Sequence, residues 1–117
     1  MISWQAAKTL ALSLPGAEER DHFGSPSFRV QGKIFAQLSA RENPERQAIV
    51  KLSPPDQAAL IALDPETFSP VPQWGRHGWT YAKLDSLEQA LFKDALIKSW
   101  RCVAPKKFAA QFADKLR

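Results

Sequence analysis

The segment from Ser27 to Leu52 restricts the fold more than any other part of the chain. Ser27-Phe28-Arg29-Val30 alternates polar and apolar side chains, Gln31-Gly32 supplies a turn, and Lys33-Ile34-Phe35-Ala36-Gln37-Leu38 resumes as extended chain. Period-two patterning sends alternate residues to opposite faces, and a short glycine turn joins antiparallel neighbours. After the polar connection Arg41-Glu42-Asn43-Pro44-Glu45-Arg46, Ala48-Ile49-Val50-Lys51-Leu52 reads as a third strand of the same meander. An antiparallel sheet with one apolar face needs a second layer to bury it.

The flanking sequence supplies that layer. Ser3 is placed to cap a helix through Leu14, with Trp4, Ala7, Leu10, Ala11 and Leu14 on one stripe, and Pro15-Gly16 stops it. Glu18-Glu19-Arg20-Asp21 reads as an acidic link. Ser53-Pro54-Pro55 opens a second helix that ends at Asp64-Pro65, because a proline disfavours helical geometry in the residue before it. Phe68 to Pro72 suits an edge strand or an ordered connection, and Trp79-Thr80-Tyr81-Ala82-Lys83-Leu84 pairs back as a strand after a turn over Gly75 to Gly78. Ser86-Leu87-Glu88-Gln89 has capping-box spacing and predicts a helix to about Arg101, with Leu87, Leu91, Ala95 and Leu96 inward and Trp100 facing the core. Pro105 begins a last helix whose Phe108, Ala109, Phe112, Ala113 and Leu116 form an amphipathic stripe. The expectation is a single α+β domain over residues 1–117, an antiparallel sheet of hairpins packed against N-terminal and C-terminal helices.

Much chemistry is disfavoured by what the chain lacks. Cys102 is the sole cysteine, so no internal disulfide and no multi-cysteine metal site can form. No apolar run approaches the roughly 18 residues of a membrane span, and the first residues have no secretory pattern, so a cytoplasmic location and no membrane partner are expected. His22 and His77 are the only histidines, in no zinc-binding or nucleophile-elbow spacing, and glycines 16, 24, 32, 75 and 78 fit neither a P-loop nor a dinucleotide fingerprint. The expectation is a monomeric protein that is not an enzyme and holds no cofactor or metal.

Charge and aromatic residues point to a binding role instead. Residues 67–117 contain nine Lys or Arg against four Asp or Glu, whereas residues 1–66 contain seven against eight. Such a bias marks either a polyanion footprint or an ordinary solvated face. Lys106 and Lys107, just inside the last helix, oppose its dipole; with Arg101 they would meet phosphate there, or they are drift at an exposed site. In Pro70-Val71-Pro72-Gln73-Trp74-Gly75-Arg76-His77-Gly78-Trp79, two indoles, a guanidinium and an imidazole share a glycine-flanked turn. An aromatic beside a cation stacks on a base while the cation neutralises phosphate. Equally, tryptophans in such a turn plug the core while Arg76 and His77 solvate it.

The order of these features resembles the MmcQ/YjbR family, small bacterial proteins described as having a double-wing DNA-binding fold. The resemblance rests on Leu14-Pro15-Gly16-Ala17-Glu18-Glu19, Phe23-Gly24-Ser25-Pro26-Ser27-Phe28-Arg29-Val30, Gly32-Lys33-Ile34-Phe35-Ala36, Lys51-Leu52 and Trp74-Gly75-Arg76-His77-Gly78-Trp79-Thr80. It implies an α+β domain whose hairpins are wings, and a DNA-binding role. Joined to the charge pattern, it gives the expectation that nucleic acid, DNA in the family's terms, is held through Arg29 and Lys33 at the first hairpin and Trp74, Arg76, His77 and Lys83 around the second. Arg101, Lys106 and Lys107 would extend that surface. The competing expectation is an adaptor domain that takes a small molecule or peptide in an aromatic groove near Trp74 and Trp79. A continuous cationic strip favours the first, and a concave aromatic pocket with scattered cations the second.

Overall fold

A computed structural model describes residues 1–113. Strands β1 (Glu18–His22), β2 (Ser25–Val30), β3 (Lys33–Leu38), β4 (Gln47–Lys51), β5 (Phe68–Pro70) and β6 (Trp79–Lys83) form one antiparallel sheet in the order β1-β2-β3-β4-β6-β5. Helices α1 (Trp4–Leu12), α2 (Pro54–Leu63), α3 (Gln89–Val103) and α4 (Lys106–Ala110) complete the fold. The α+β class and the meander follow the sequence pattern, and β5 takes the edge position that its proline requires.

The acidic segment 18–22 is not a link but edge strand β1, paired with β2 from Glu18↔Arg29 to His22↔Ser25. Its charges give no apolar alternation, because its side chains are mostly exposed and the backbone of β2 directs the pairing. The third helix begins at Gln89, not Ser86, since Leu87 is extended and fully buried while Ser86 sits in a 3-10 turn with its hydroxyl 2.7 Å from that of Thr67. Helix α1 ends at Leu12, and Leu14 reaches the core from the turn that follows. Helix α4 is shorter than the amphipathic stripe: beyond Ala110 the amides of Gln111 and Phe112 bond back three residues, a tightened 3-10 end. Leu116, Lys115 and Arg117 lie outside the described residues.

Cross-strand register sorts the sheet residues by face. Phe28↔Ala36↔Val50↔Thr80 and Leu38↔Ala48↔Ala82↔Phe68 are buried rows. The helices lie on this side: α1 and α3 pack on β3, α2 packs beside β5, and Gln57 of α2 donates to the Thr80 hydroxyl at 3.0 Å. Trp100 is fully buried, donates its indole N–H to the Pro15 carbonyl at 2.8 Å, and packs against Phe108 and Phe112. Burying Phe28, Phe35, Phe68, Phe92 and Trp100 supplies much of the hydrophobic driving force, about 25 cal/mol per Å² of apolar surface removed from water.

One irregularity sets what the other face displays. Phe28 pairs with Ala36 but Arg29 pairs with Ile34, so Phe35 is an extra residue on β3. This bulge buries Phe35 and Ala36 in succession and shifts Ile34 to the face that carries Arg29. Ser99 of α3 closes the bulge: its hydroxyl donates to the Phe35 carbonyl and accepts the Lys51 amide at 3.0 Å.

Candidate functional site

Among the described residues every helix lies on one side of the sheet, and none covers the opposite face. Its rows run Ser27↔Gln37↔Ile49↔Tyr81↔Ser69, with Arg29↔Ile34 and Lys51↔Trp79 beside them. Most of these side chains are half-buried. Ser27 is the exception, fully buried, with its hydroxyl donating to the Arg20 carbonyl at 2.8 Å and lying 3.4 Å from the Arg29 Nε.

A cleft of about 390 Å³ lies on this face, lined by His22, Ile34, Gln37, Ile49, Val71, Trp74 and Trp79. The sheet residues Ile34, Gln37, Ile49 and Trp79 meet a loop that carries Val71 and Trp74. That loop is tied down by its own backbone: Val71 donates to the Trp79 carbonyl at 3.0 Å and Gly75 to Val71 at 2.6 Å. The Gln57 carboxamide adds a bond to the Gly75 carbonyl at 2.9 Å. Two glycines permit the closure. A Cβ on Gly75 would stand 2.5 Å from Pro70, and one on Gly78, whose φ is +95°, would stand 1.8 Å from the Leu52 carbonyl oxygen. Trp74 is thereby held at the cleft with 59% of its surface exposed. Lys51 places its ammonium 5.6 Å from the Trp79 ring, a cation–π contact that joins positive charge to the aromatic wall.

The family model YjbR matches residues 12–102. The chain belongs to the YjbR family. A crystal structure of Deinococcus radiodurans protein DR2400, with a DUF419 family-model domain, is similar to it with a TM-score of 0.77 at 20% identity. The likeness covers 99% of this chain and 88% of that one, and at this identity it bears on fold alone. No curated protein matches.

In this YjbR-family chain the nine residues expected to bind nucleic acid do not form one group. Arg29 and Trp74 belong to the open face or its cleft. Arg76 and His77 are exposed on the 3-10 turn Gly75–His77, and Arg76 lines a separate depression with Pro70, Val71 and Pro72. Lys33 is exposed at the β2–β3 hairpin end. Lys83 is exposed at the end of β6 and shares a depression with Glu45, Arg46 and Asp85, so its charge is offset. Arg101 and Lys106 line a depression over Trp100 on the helical side, and Lys107 sits on the same short helix. Five residues give α4 too small a dipole for its N-terminus to serve as an anion site.

The cleft also contains residues that the sequence pattern did not place in a binding surface: His22, weighed there only for metal or catalytic chemistry, and Ile34, Gln37 and Ile49, with Lys51 beside them. The available signal was parity, since Ile49 and Lys51 alternate with the buried Ala48 and Val50. Among the described residues no group of three His, Cys, Asp or Glu side chains is placed to hold a metal ion, and no helix is long and apolar enough to cross a membrane.

Proposed function

We propose that this protein is a non-enzymatic nucleic-acid-binding domain that uses the uncovered sheet face rather than its helical side. The observation that supports this reading is the juxtaposition of two accessible indoles, Trp74 and Trp79, with cations set into the same sheet. Lys51 lies over Trp79, and Arg29 is the cross-strand partner of Ile34 in the cleft floor. Bases would contact the indoles while Arg29, Lys51 and Arg20, the cross-strand partner of Ser27, neutralise phosphates together with Arg76 on the turn that follows Trp74. Glu18 lies 3.6 Å from Arg20 and removes part of that charge, so three to four phosphates is the expected count.

A fluorescence-anisotropy titration against salt tests this. Neutralising three to four phosphates gives a slope of log affinity on log salt of about −2.7 to −3.6 for duplex DNA and about −2 to −3 for a single strand. The double variant Arg29→Gln/Lys51→Gln is expected to weaken binding about tenfold or more, while Lys106→Gln/Lys107→Gln leaves it nearly unchanged. Absence of binding at low salt, or equal effects of the two double variants, refutes the reading.

The adaptor reading is favoured by one observation, the apolar character of Ile34, Ile49, Val71 and the two indoles around the cleft. Occupancy of the cleft by an uncharged ligand, insensitive to salt, would support it instead.

A further inference from the structure

We infer that the open face takes an unpaired strand rather than a duplex, with one base in the Trp74–Trp79 cleft and the adjoining base against Phe23; this rests on the nucleic-acid reading above. A volume of about 390 Å³ suits a small planar ligand, at the lower end of the roughly 300–1,000 Å³ usual for small-molecule sites. A paired base is stacked inside its helix and does not reach such a recess without leaving its partner. The lining fits a base in kind: Ile34, Ile49 and Val71 are apolar, the indoles offer aromatic faces, and Gln37 and His22 supply donors and acceptors for a base edge.

Phe23 provides the second platform. It occupies the tip of the β1–β2 hairpin with 95% of its surface exposed and a φ of +53°, a conformation disfavoured for a bulky side chain. Neither burial nor backbone preference accounts for a phenylalanine there, and strain of this kind concentrates at binding sites. Its ring meets that of His22 edge-on at 4.8 Å, and His22 itself lines the cleft. The aromatic surface therefore continues from Trp74 and Trp79 through His22 to Phe23. Asp21 lies beside this tip, its carboxylate 3.4 Å from the Gly24 amide, whereas Glu18 stands at the other end of β1 across from Arg29, and Glu19 pairs with Lys8 on the helical side. Contact at the tip is thus through the ring, and phosphates run on the side of Arg29 and Lys51.

The test compares the full chain with a fluorescein-labelled twelve-residue oligothymidylate, a duplex of the same length, and an abasic strand with the same phosphates. Phe23→Asn, which keeps the hairpin turn, and Trp74→Ala probe the platforms; both side chains are exposed, so folding survives. The thymidylate is expected to bind at least about tenfold more tightly than the duplex or the abasic strand, with quenching of tryptophan fluorescence. Each variant is expected to lose about five- to a hundredfold in thymidylate affinity with an unchanged salt slope. Equal or tighter duplex binding, or variants that bind as the parent does, overturns the unpaired-base inference and leaves the nucleic-acid reading in place. If no oligomer binds at low salt, both fall together.

Discussion

Replacing Ser99 by alanine tests whether helix α3 is fastened to the sheet through the bulge. The hydroxyl is fully buried, accepts the Lys51 amide at 3.0 Å and donates to the Phe35 carbonyl. Alanine keeps the helix and removes one oxygen, leaving a buried N–H and a buried C=O without their partner. Each such group costs about 1–3 kcal/mol, so the expected loss for the two is about 2–6 kcal/mol. That is a large share of the roughly 5–15 kcal/mol by which a domain is ordinarily stable. With a urea slope of about 2 kcal/mol per molar, the middle of the usual range, the midpoint should fall by about 1–3 M at unchanged slope. Ser53→Ala provides the comparison, since it removes only the helix cap to the Asp56 amide and should cost about 1 kcal/mol. A Ser99→Ala loss below that of Ser53→Ala would refute the reasoning, because the bulge would then satisfy its backbone without the helix. The same variant should change the emission of Trp79, whose neighbour Lys51 is anchored by this bond.

Other outcomes follow from the same geometry. Phe23→Asn should raise stability by about 0.5 kcal/mol or more, because Phe23-Gly24 forms a two-residue hairpin loop with both φ values positive, for which Asn-Gly is preferred; a lower melting temperature would contradict this. Gly78→Ala should cost at least about 3 kcal/mol by combining left-handed strain with a Cβ placed against the Leu52 carbonyl, and a near-native urea midpoint would contradict it. The Lys98 pKa is raised, chiefly by its hydrogen bond to Asp94, with burial opposing and the charges of Asp94 and Asp56 adding. A raised lysine pKa contributes stability in full below its unfolded value of about 10.4 and loses it as pH rises through the folded value. Asp94→Asn should therefore cost about 0.3–0.5 kcal/mol at neutral pH, as exposed i,i+4 pairs do, and almost nothing in strong alkali. A difference that grows with alkaline pH would contradict the assignment.

The fold was legible wherever backbone chemistry is written locally. Prolines 54, 55 and 65 bounded α2, Gln31-Gly32 marked the β2–β3 turn, and period-two alternation identified β2 to β4. Strand β1 was not, because an exposed edge strand has no apolar face to reveal its period. Trp74 was legible as a turn residue, and Trp79 through its place in an aromatic strand. Ile34, Gln37, Ile49 and Lys51 were not, since a strand's period gives two sets of residues without saying which set the helices will cover. The basic residues are divided between two sides for a related reason: a charge count along the chain is blind to face, and α3 and α4 carry Arg101, Lys106 and Lys107 to the layer opposite Arg29.

The extra residue at Phe35 makes β3 a strand with two reading frames. Before it, the even position Ile34 looks outward; after it, the even positions Ala36 and Leu38 look inward. Insertion or deletion of a single residue here would rewrite the chemistry of the helix-free face while the hydrophobic interior kept most of its composition. Relatives should therefore be compared by phase relative to this point, since two chains that agree letter by letter along the strand can still offer different surfaces.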